Sequence, residues 1–217
     1  LCSANLPTST DIDPAETNDD FPSKQFGAVL YSGNGSTNTI SGLGFQPDLV
    51  WGKSRNGSQS HRLYDSSRGV STHNMLFSDT TAVAQSGTDL LTTFGTDGFT
   101  YGTSGSNAND SGKTYVAWCW KANGGTTSTN TSGTATSTVQ ANTKAGFSIC
   151  LTDNYTSGTG VTIGHGLGKK PAFYIHKTTG NNSSGGASQA FNWHVYHQSL
   201  GATKALFLNL VNRDATA

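Results

Sequence analysis

The chain has 217 residues and no net charge, with only 12% charged and 33% hydrophobic side chains. Neutrality excludes the electrostatic attraction that nucleic-acid binding rests on and a polybasic route to membranes, and no apolar run approaches membrane-spanning length. The polar remainder is Ser, Thr, Asn and Gly, while aromatic residues reach 10%, enough for compact cores that a disordered chain lacks. That profile predicts an all-β protein of short strands and tight turns, with no amphipathic helix.

Taken in chain order, residues 1–24 carry Asp11-Ile12-Asp13-Pro14 and Asn18-Asp19-Asp20-Phe21-Pro22 and read as a linker. Residues 26–31 read as a strand, followed by an Asn34-Gly35 turn of the kind tight hairpins use. A second strand starts at residues 38–41, Gly42-Leu43-Gly44 kinks the backbone, and Pro47 leads into a strand over 48–53. There Leu49, Trp51 and Lys53 point one way and Asp48, Val50 and Gly52 the other. Asn56-Gly57 turns into a strand at 61–65, and residues 75–77 and 90–94 supply two more. Thr96-Asp97-Gly98 turns into residues 99–102, and 104–112 form a polar loop. Residues 113–121 close the first unit as a central strand, with Val116, Trp118 and Trp120 on one face and Tyr115, Ala117 and Cys119 on the other. A Gly/Thr/Ser/Asn-rich linker at 122–137 then separates a first domain at 25–121 from a second at 138–217.

The division follows from a repeat. Gly42-Leu43-Gly44-Phe45-Gln46-Pro47-Asp48-Leu49-Val50-Trp51-Gly52-Lys53 lines up without gaps on Gly166-Leu167-Gly168-Lys169-Lys170-Pro171-Ala172-Phe173-Tyr174-Ile175-His176-Lys177, at a constant offset of 124 positions. Upstream, Phe26-Gly27-Ala28-Val29-Leu30-Tyr31 answers to Phe147-Ser148-Ile149-Cys150-Leu151-Thr152, and Thr39-Ile40 to Thr162-Ile163. Downstream, His61-Arg62-Leu63-Tyr64 answers to Trp193-His194-Val195-Tyr196. A period this long marks a duplicated, bead-like domain. The second copy has no counterpart of Phe99 or of Tyr115-Val116-Ala117-Trp118, and the chain opens at Leu1 without Met or a signal peptide, so it reads as a fragment of a longer protein. Phe26, Trp51, Phe99, Trp118, Phe147, Tyr174 and Trp193 are the expected core.

Candidate chemistry is sparse. Of the six His, the nearest pair, His194 and His197, lies at a spacing that sends the rings to opposite faces of a strand, so no metal site is predicted. Three cysteines, Cys2, Cys119 and Cys150, form no disulfide framework and suit a reducing cytoplasm; Cys119 reads as a small buried apolar residue. Arg62, Asp65 and Arg68 are the densest charged cluster, read as a salt-bridged turn that pins a loop, with a polar binding site as the other reading. No carboxylate pair, nucleophile elbow or phosphate loop stands out, so no enzyme activity and no cofactor are predicted. Three polar Gly-rich loops are the candidate contact sites: Asn56, Gly57, Ser58 and Gln59 in the first; Ser104, Asn107 and Asn109 in the second; Asn181, Asn182 and Gln189 in the third.

Leu1-Cys2-Ser3-Ala4-Asn5-Leu6-Pro7, Tyr31-Ser32-Gly33-Asn34-Gly35-Ser36-Thr37, Gly44-Phe45-Gln46-Pro47-Asp48-Leu49-Val50-Trp51 and Tyr115-Val116-Ala117-Trp118-Cys119-Trp120-Lys121 resemble a repeated domain of virion-associated proteins from marine tailed bacteriophages. In that family the first of these motifs follows a concanavalin-like SPRY-type sandwich. The resemblance implies a virion structural protein, a tail fibre or host-recognition appendage assembled in the host cytoplasm and exposed on the particle. Its partners would be other virion proteins and a host-surface glycan or receptor, with no nucleic acid and no membrane insertion. A capsid or tail decoration protein is the alternative, and a glycan depolymerase a more distant one. The expected fold is two tandem β-sandwich-like (jelly-roll-like) domains, the second incomplete. Low charge and an apolar edge near 205–210 point to a homo-oligomer, and the resemblance to a trimer.

Overall fold

The computed structural model describes residues 21–70, 74–86, 90–103, 107–152, 160–180, 191–211 and 215–216. In chain order the first unit carries β1 (Phe26–Ser32), β2 (Asn38–Ser41), β3 (Leu49–Ser54), β4 (Arg62–Asp65), β5 (Leu76–Phe77), β6 (Leu91–Gly95), β7 (Gly98–Tyr101) and β8 (Thr114–Trp120). The second carries β9 (Ser128–Asn130), β10 (Ser137–Asn142), β11 (Phe147–Leu151), β12 (Phe173–His176), β13 (His194–His197), β14 (Lys204–Phe207) and β15 (Ala215–Thr216). Among the described residues the only helical element is a single 3-10 turn at Pro22–Lys24, and no helix is long and apolar enough to cross a membrane. The fold is all-β, as the composition requires.

The eight expected strands of the first unit appear within a residue or two of their predicted bounds. They form a five-stranded sheet, β1-β8-β3-β4-β5, and a three-stranded one, β2-β7-β6. The two meet through one core: Val50, Tyr64, Met75, Ala117 and Cys119 from the larger sheet and its edge, against Ile40, Leu91, Phe99 and Tyr101 from the smaller. Alternation decides which side chains enter it. β8 buries Tyr115, Ala117 and Cys119 and leaves Val116, Trp118 and Trp120 half-buried, as expected for the central strand. Small residues at 117 and 119 leave room for the tyrosines, and Tyr31 stacks on Tyr115 with centroids 5.1 Å apart.

The duplication holds at the level of register. β3 pairs with β4 as Leu49↔Asp65, Val50↔Tyr64, Trp51↔Leu63 and Gly52↔Arg62. β12 pairs with β13 as Phe173↔His197, Tyr174↔Tyr196, Ile175↔Val195 and His176↔His194, the same pairs under the sequence alignment. The next strand extends the match, since Arg62↔Phe77 and Leu63↔Leu76 become His194↔Phe207 and Val195↔Leu206. Loop hydrogen bonds repeat as well: Ser66 N–H donates to Asp48 O at 2.9 Å, and Gln198 N–H to Ala172 O at 2.8 Å. Gly42 and Gly44 take φ of 96° and 72°, and Gly166 and Gly168 take 76° and 68°. Those left-handed values are why both copies keep Gly-Leu-Gly before the strand.

Several expectations need correction. The units are not separate beads. Leu63, Leu76 and Ala84 of the first share a cluster with Trp193 of the second, flanked by Leu49, Trp51, Ile175 and Leu208. Trp193 Nε1 also donates to Phe77 O at 2.8 Å, and Lys177 Nζ to Thr81 O at 2.7 Å. Residues 122–137, by sequence either a flexible linker or a stiff connection, are held in place: they include β9 and lie pinned at their start, as described below. Phe26 and Tyr174, expected in the core, are 42% and 50% exposed. Phe26 sits on the outer face against Trp120, which stacks on Phe147 across the junction at 6.2 Å. Trp51, Trp118 and Phe147 are half-buried on that side, while Phe99 and Trp193 are buried as expected. The edge at 205–210 is not bare, because β14 pairs with both β13 and β15.

Candidate functional site

Two of the three predicted contact loops meet at one end of the first unit. The β3–β4 turn brings Gln59 beside the β7–β8 loop, where Nε2 donates to Asn107 Oδ1 at 3.1 Å and to Asp110 Oδ2 at 3.0 Å. Asn56 Oδ1 accepts from Thr114 N–H at 3.0 Å, tying the same turn to the start of β8. Asn107 has φ of 56°, a left-handed value that Asn tolerates, and its N–H donates to Asp110 Oδ1 at 3.1 Å. Asn56, Ser58 and Asn107 are exposed, while Gly57 and Gln59 are half-buried. Ser104, Asn181, Asn182 and Gln189 lie outside the described residues.

Asn109 is a correction. It is fully buried, with 0% exposure, and cannot contact a ligand at the surface. Its Oδ1 accepts from Asn34 N–H at 3.2 Å and Asn38 Nδ2 at 2.8 Å, and its Nδ2 donates to Ser36 O at 2.5 Å. One amide thus locks the β1–β2 turn, β2 and the β7–β8 loop together. Burial of a polar side chain is tolerated only when its hydrogen bonds are made in this way. Next to it, Gly33 lies so close to the β7–β8 loop that a Cβ would sit 2.2 Å from Asp110 O. The loops are therefore presented on a rigid base.

Beneath them Lys53, Ser54, Ser60, Arg62, Asn107 and Tyr115 close around one another and leave no room for even a water molecule. The charged cluster expected from sequence divides here. Asp65 and Arg68 make the pinned turn, with Arg68 Nε donating to Asp65 Oδ2 at 2.6 Å and Arg68 N–H to Oδ1 at 2.9 Å. Arg62, an odd number of residues from Asp65, leaves from the opposite face of β4. It is 5% exposed, its Nε contacts Met75 Sδ at 3.1 Å, its guanidinium lies 5.5 Å from the Phe77 ring centre, and its Nη1 has no hydrogen-bond partner among the described residues. His61, which precedes Arg62 in the chain, is held below its ordinary pKa by partial burial and by the Lys53 charge, with Asp79 opposing. Ser54, Arg62 and Tyr115 are themselves buried, so of these groups Lys53, Ser60 and Asn107 are the ones a surface ligand can reach.

Sequence reasoning missed the junction between the units. Asp48 is fully buried at the entry to β3, and its carboxylate accepts from Ala122 N–H at 2.6 Å, Gly124 N–H at 2.9 Å, Gly125 N–H at 2.8 Å and Ser66 Oγ at 2.6 Å. Gln140 of β10, also 0% exposed, accepts from Asn123 N–H at 3.2 Å and Gly125 N–H at 3.0 Å and donates to Ser67 Oγ at 2.7 Å. Asn142 Nδ2 reaches Gln25 Oε1 at 2.6 Å. The signal was available: Asp48 is an acid within an apolar motif of a charge-poor chain, and its counterpart in the second copy is Ala172. The pairing of His176 with His194 was also missed; they face each other across β12 and β13, ring centres 6.4 Å apart. His194 and His197 fall on opposite faces, as predicted. Among the described residues no group of three or more His, Cys, Asp or Glu could hold a metal ion.

The family model described as "Domain of unknown function (DUF7483)" matches residues 21–217, and the chain belongs to that family. No curated protein and no solved structure matches it.

Proposed function

We propose that this chain is a bacteriophage virion structural protein, part of a tail fibre or host-recognition appendage, whose two tandem sandwich-like, jelly-roll-like units display loops toward cell-surface glycans or proteins. The observation that carries the reading is the meeting of the turn around Gln59 with the loop around Asn107, beside the half-buried Lys53. Gln59, already held by Asn107 and Asp110, loses little side-chain freedom when a ligand binds, which favours recognition by display. The resemblance to marine phage virion domains supplies the biological setting, and repeated copies on a particle would supply avidity. A homo-oligomer, a trimer in that setting, fits the neutral surface.

A capsid or tail decoration protein, binding only other virion proteins, is the second reading. Immuno-electron microscopy of intact particles with antibody to this chain separates the two: label on distal fibres supports host recognition, and label on the capsid shell or tail tube overturns it. Binding of the purified chain to host cells, abolished by Lys53→Glu with Gln59→Ala, supports the loop assignment. Equal binding by that variant refutes it. Mass measurement in solution tests the trimer, and a stable monomer at micromolar concentration refutes it.

A further inference from the structure

In an Asn-Gly pair the backbone nitrogen of Gly, unhindered by a Cβ, can attack the side-chain carbonyl carbon of the Asn before it. The chain has three such pairs, Asn34-Gly35, Asn56-Gly57 and Asn123-Gly124, and each lies in a loop between strands. What distinguishes them is the fate of the Gly N–H, because the nitrogen must give up its proton to attack. Gly35 N–H donates to Asn109 O at 2.8 Å. The Asn34 amide is held besides, Oδ1 accepting from Ser36 N–H at 2.9 Å and Nδ2 donating to Thr37 O at 3.1 Å. Gly124 N–H donates to the buried Asp48 carboxylate at 2.9 Å, so losing its proton would set two negative charges side by side. Gly57 N–H donates to no acceptor among the described residues. The Ser54 hydroxyl, 3.1 Å from where a Gly57 Cβ would stand, is itself without a partner and so does not hold it.

We propose that Asn56 is a site of spontaneous deamidation, at which the β3–β4 turn ages chemically while the other two pairs are protected. A bond forms between Gly57 N and Asn56 Cγ, and the Cγ–Nδ2 bond breaks. The amide nitrogen leaves as ammonia, carrying the proton that Gly57 gives up. Water then opens the succinimide at either carbonyl, yielding aspartate, or isoaspartate with a longer main chain. Asn56 is exposed, so water, the sole co-reactant, reaches it.

The products act on the turn in different ways. Asn56 Oδ1 accepts from Thr114 N–H at 3.0 Å, and Nδ2 donates to Gly112 O at 3.4 Å. Aspartate keeps an acceptor for Thr114 but turns a carboxylate oxygen toward Gly112 O, where the amide had a donor. Isoaspartate carries its carboxylate on a main chain that has gained a carbon, so the tie to Thr114 at the start of β8 is lost. Either product brings a negative charge to the turn that carries Gln59. The assignment rests on the hydrogen bonds of the three pairs and does not depend on the virion reading.

The test incubates the 217-residue chain at mildly alkaline pH, folded and in guanidinium, and follows each pair by tryptic digestion and mass spectrometry. The three pairs fall in separate peptides, spanning 25–53, 56–62 and 122–144. An unincubated sample digested alongside corrects for conversion during the digest. Folding should slow Asn34 and Asn123 about tenfold more than it slows Asn56, the factor one retained hydrogen bond supplies, so Asn56 dominates in the folded chain. Conversion of Asn34 or Asn123 as fast as that of Asn56 in the folded chain would overturn the proposal. So would an Asn56 that stays intact when folded over a period in which guanidinium converts it. Amide hydrogen exchange reads the consequence: Thr114 N–H loses protection in the isoaspartyl chain and keeps it in Asn56→Asp, whereas equal protection in both would refute the effect on the turn.

Discussion

Replacing Asp48 with Ala removes the acceptor that holds the chain as it leaves β8. Three backbone N–H groups and one hydroxyl end on its two carboxylate oxygens: Gly125 and Ser66 on Oδ1, Ala122 and Gly124 on Oδ2. Hydrogen bonds to a charged acceptor contribute about 1.5–3 kcal/mol each, and a buried donor left without a partner costs about 1–3 kcal/mol. The four are not additive, because they share one side chain and Gly125 N–H keeps Gln140 Oε1 as a second acceptor. A net loss of about 4 kcal/mol is therefore expected, near the upper end for single substitutions. For a chain of this length that corresponds to a drop in Tm of roughly 8–16 °C. Asp48→Asn keeps the shape but points an amide N–H₂ at two of the donors, and should lose about half as much or more. Differential scanning calorimetry measures both, and Gln140→Ala in a double-mutant cycle with Asp48→Ala should show coupling through Gly125. If Asp48→Ala melts within about 2 °C of the parent, less than 1 kcal/mol is at stake and the carboxylate is not what fixes the junction.

Asp97 accepts from the N–H groups of Gly44 and Gly42, which hold its carboxyl below the usual range. Because the folded pKa is the lower one, its contribution is complete above about pH 4 and is lost as pH falls through the depressed value, so Asp97→Asn should flatten the acid limb of a stability-versus-pH curve; an unchanged limb would remove Asp97 from the account. The Cys119 thiol, buried among apolar neighbours, has its pKa pushed up to about 12. With Cys2 and Cys150 changed to Ser, it should resist maleimide for hours in native buffer and react promptly in guanidinium, whereas fast native labelling would mean an open core. Gly98→Ala would place a Cβ 1.9 Å from Ile40 O, so β2 and β7 must separate; about 3 kcal/mol should be lost in a denaturant titration, and a neutral result would contradict the close approach.

Much of the architecture was legible because β-structure writes itself in local terms. Alternation in Tyr115-Val116-Ala117-Trp118-Cys119-Trp120 gave a central strand, and Asn-Gly and Gly-Leu-Gly gave the turns. The duplication was legible because register depends on the same alternation, so a gapless alignment carried over to identical pairs such as Trp51↔Leu63 and Ile175↔Val195. Exposure was not legible at Tyr174, since it depends on whether a second sheet covers the strand. Nor was the role of Asn109, because a side-chain amide that joins residues 71 and 75 positions away leaves no periodic trace. The charged cluster was read correctly for Asp65 and Arg68. Arg62 was misgrouped because sequence proximity outweighed strand parity.

The divergence between the copies is concentrated where their surroundings differ. At positions facing the inter-unit cluster the replacements stay apolar: Trp51 becomes Ile175, Leu63 becomes Val195, Leu76 becomes Leu206. On the opposite face Val50 becomes Tyr174 and Gly52 becomes His176, larger and more polar groups, and the charged Arg62 becomes the smaller His194. Asp48, which clasps the outgoing chain in the first unit, becomes Ala172. The face that builds the inter-unit cluster has thus kept its apolar character, while the opposite face has changed in size and polarity.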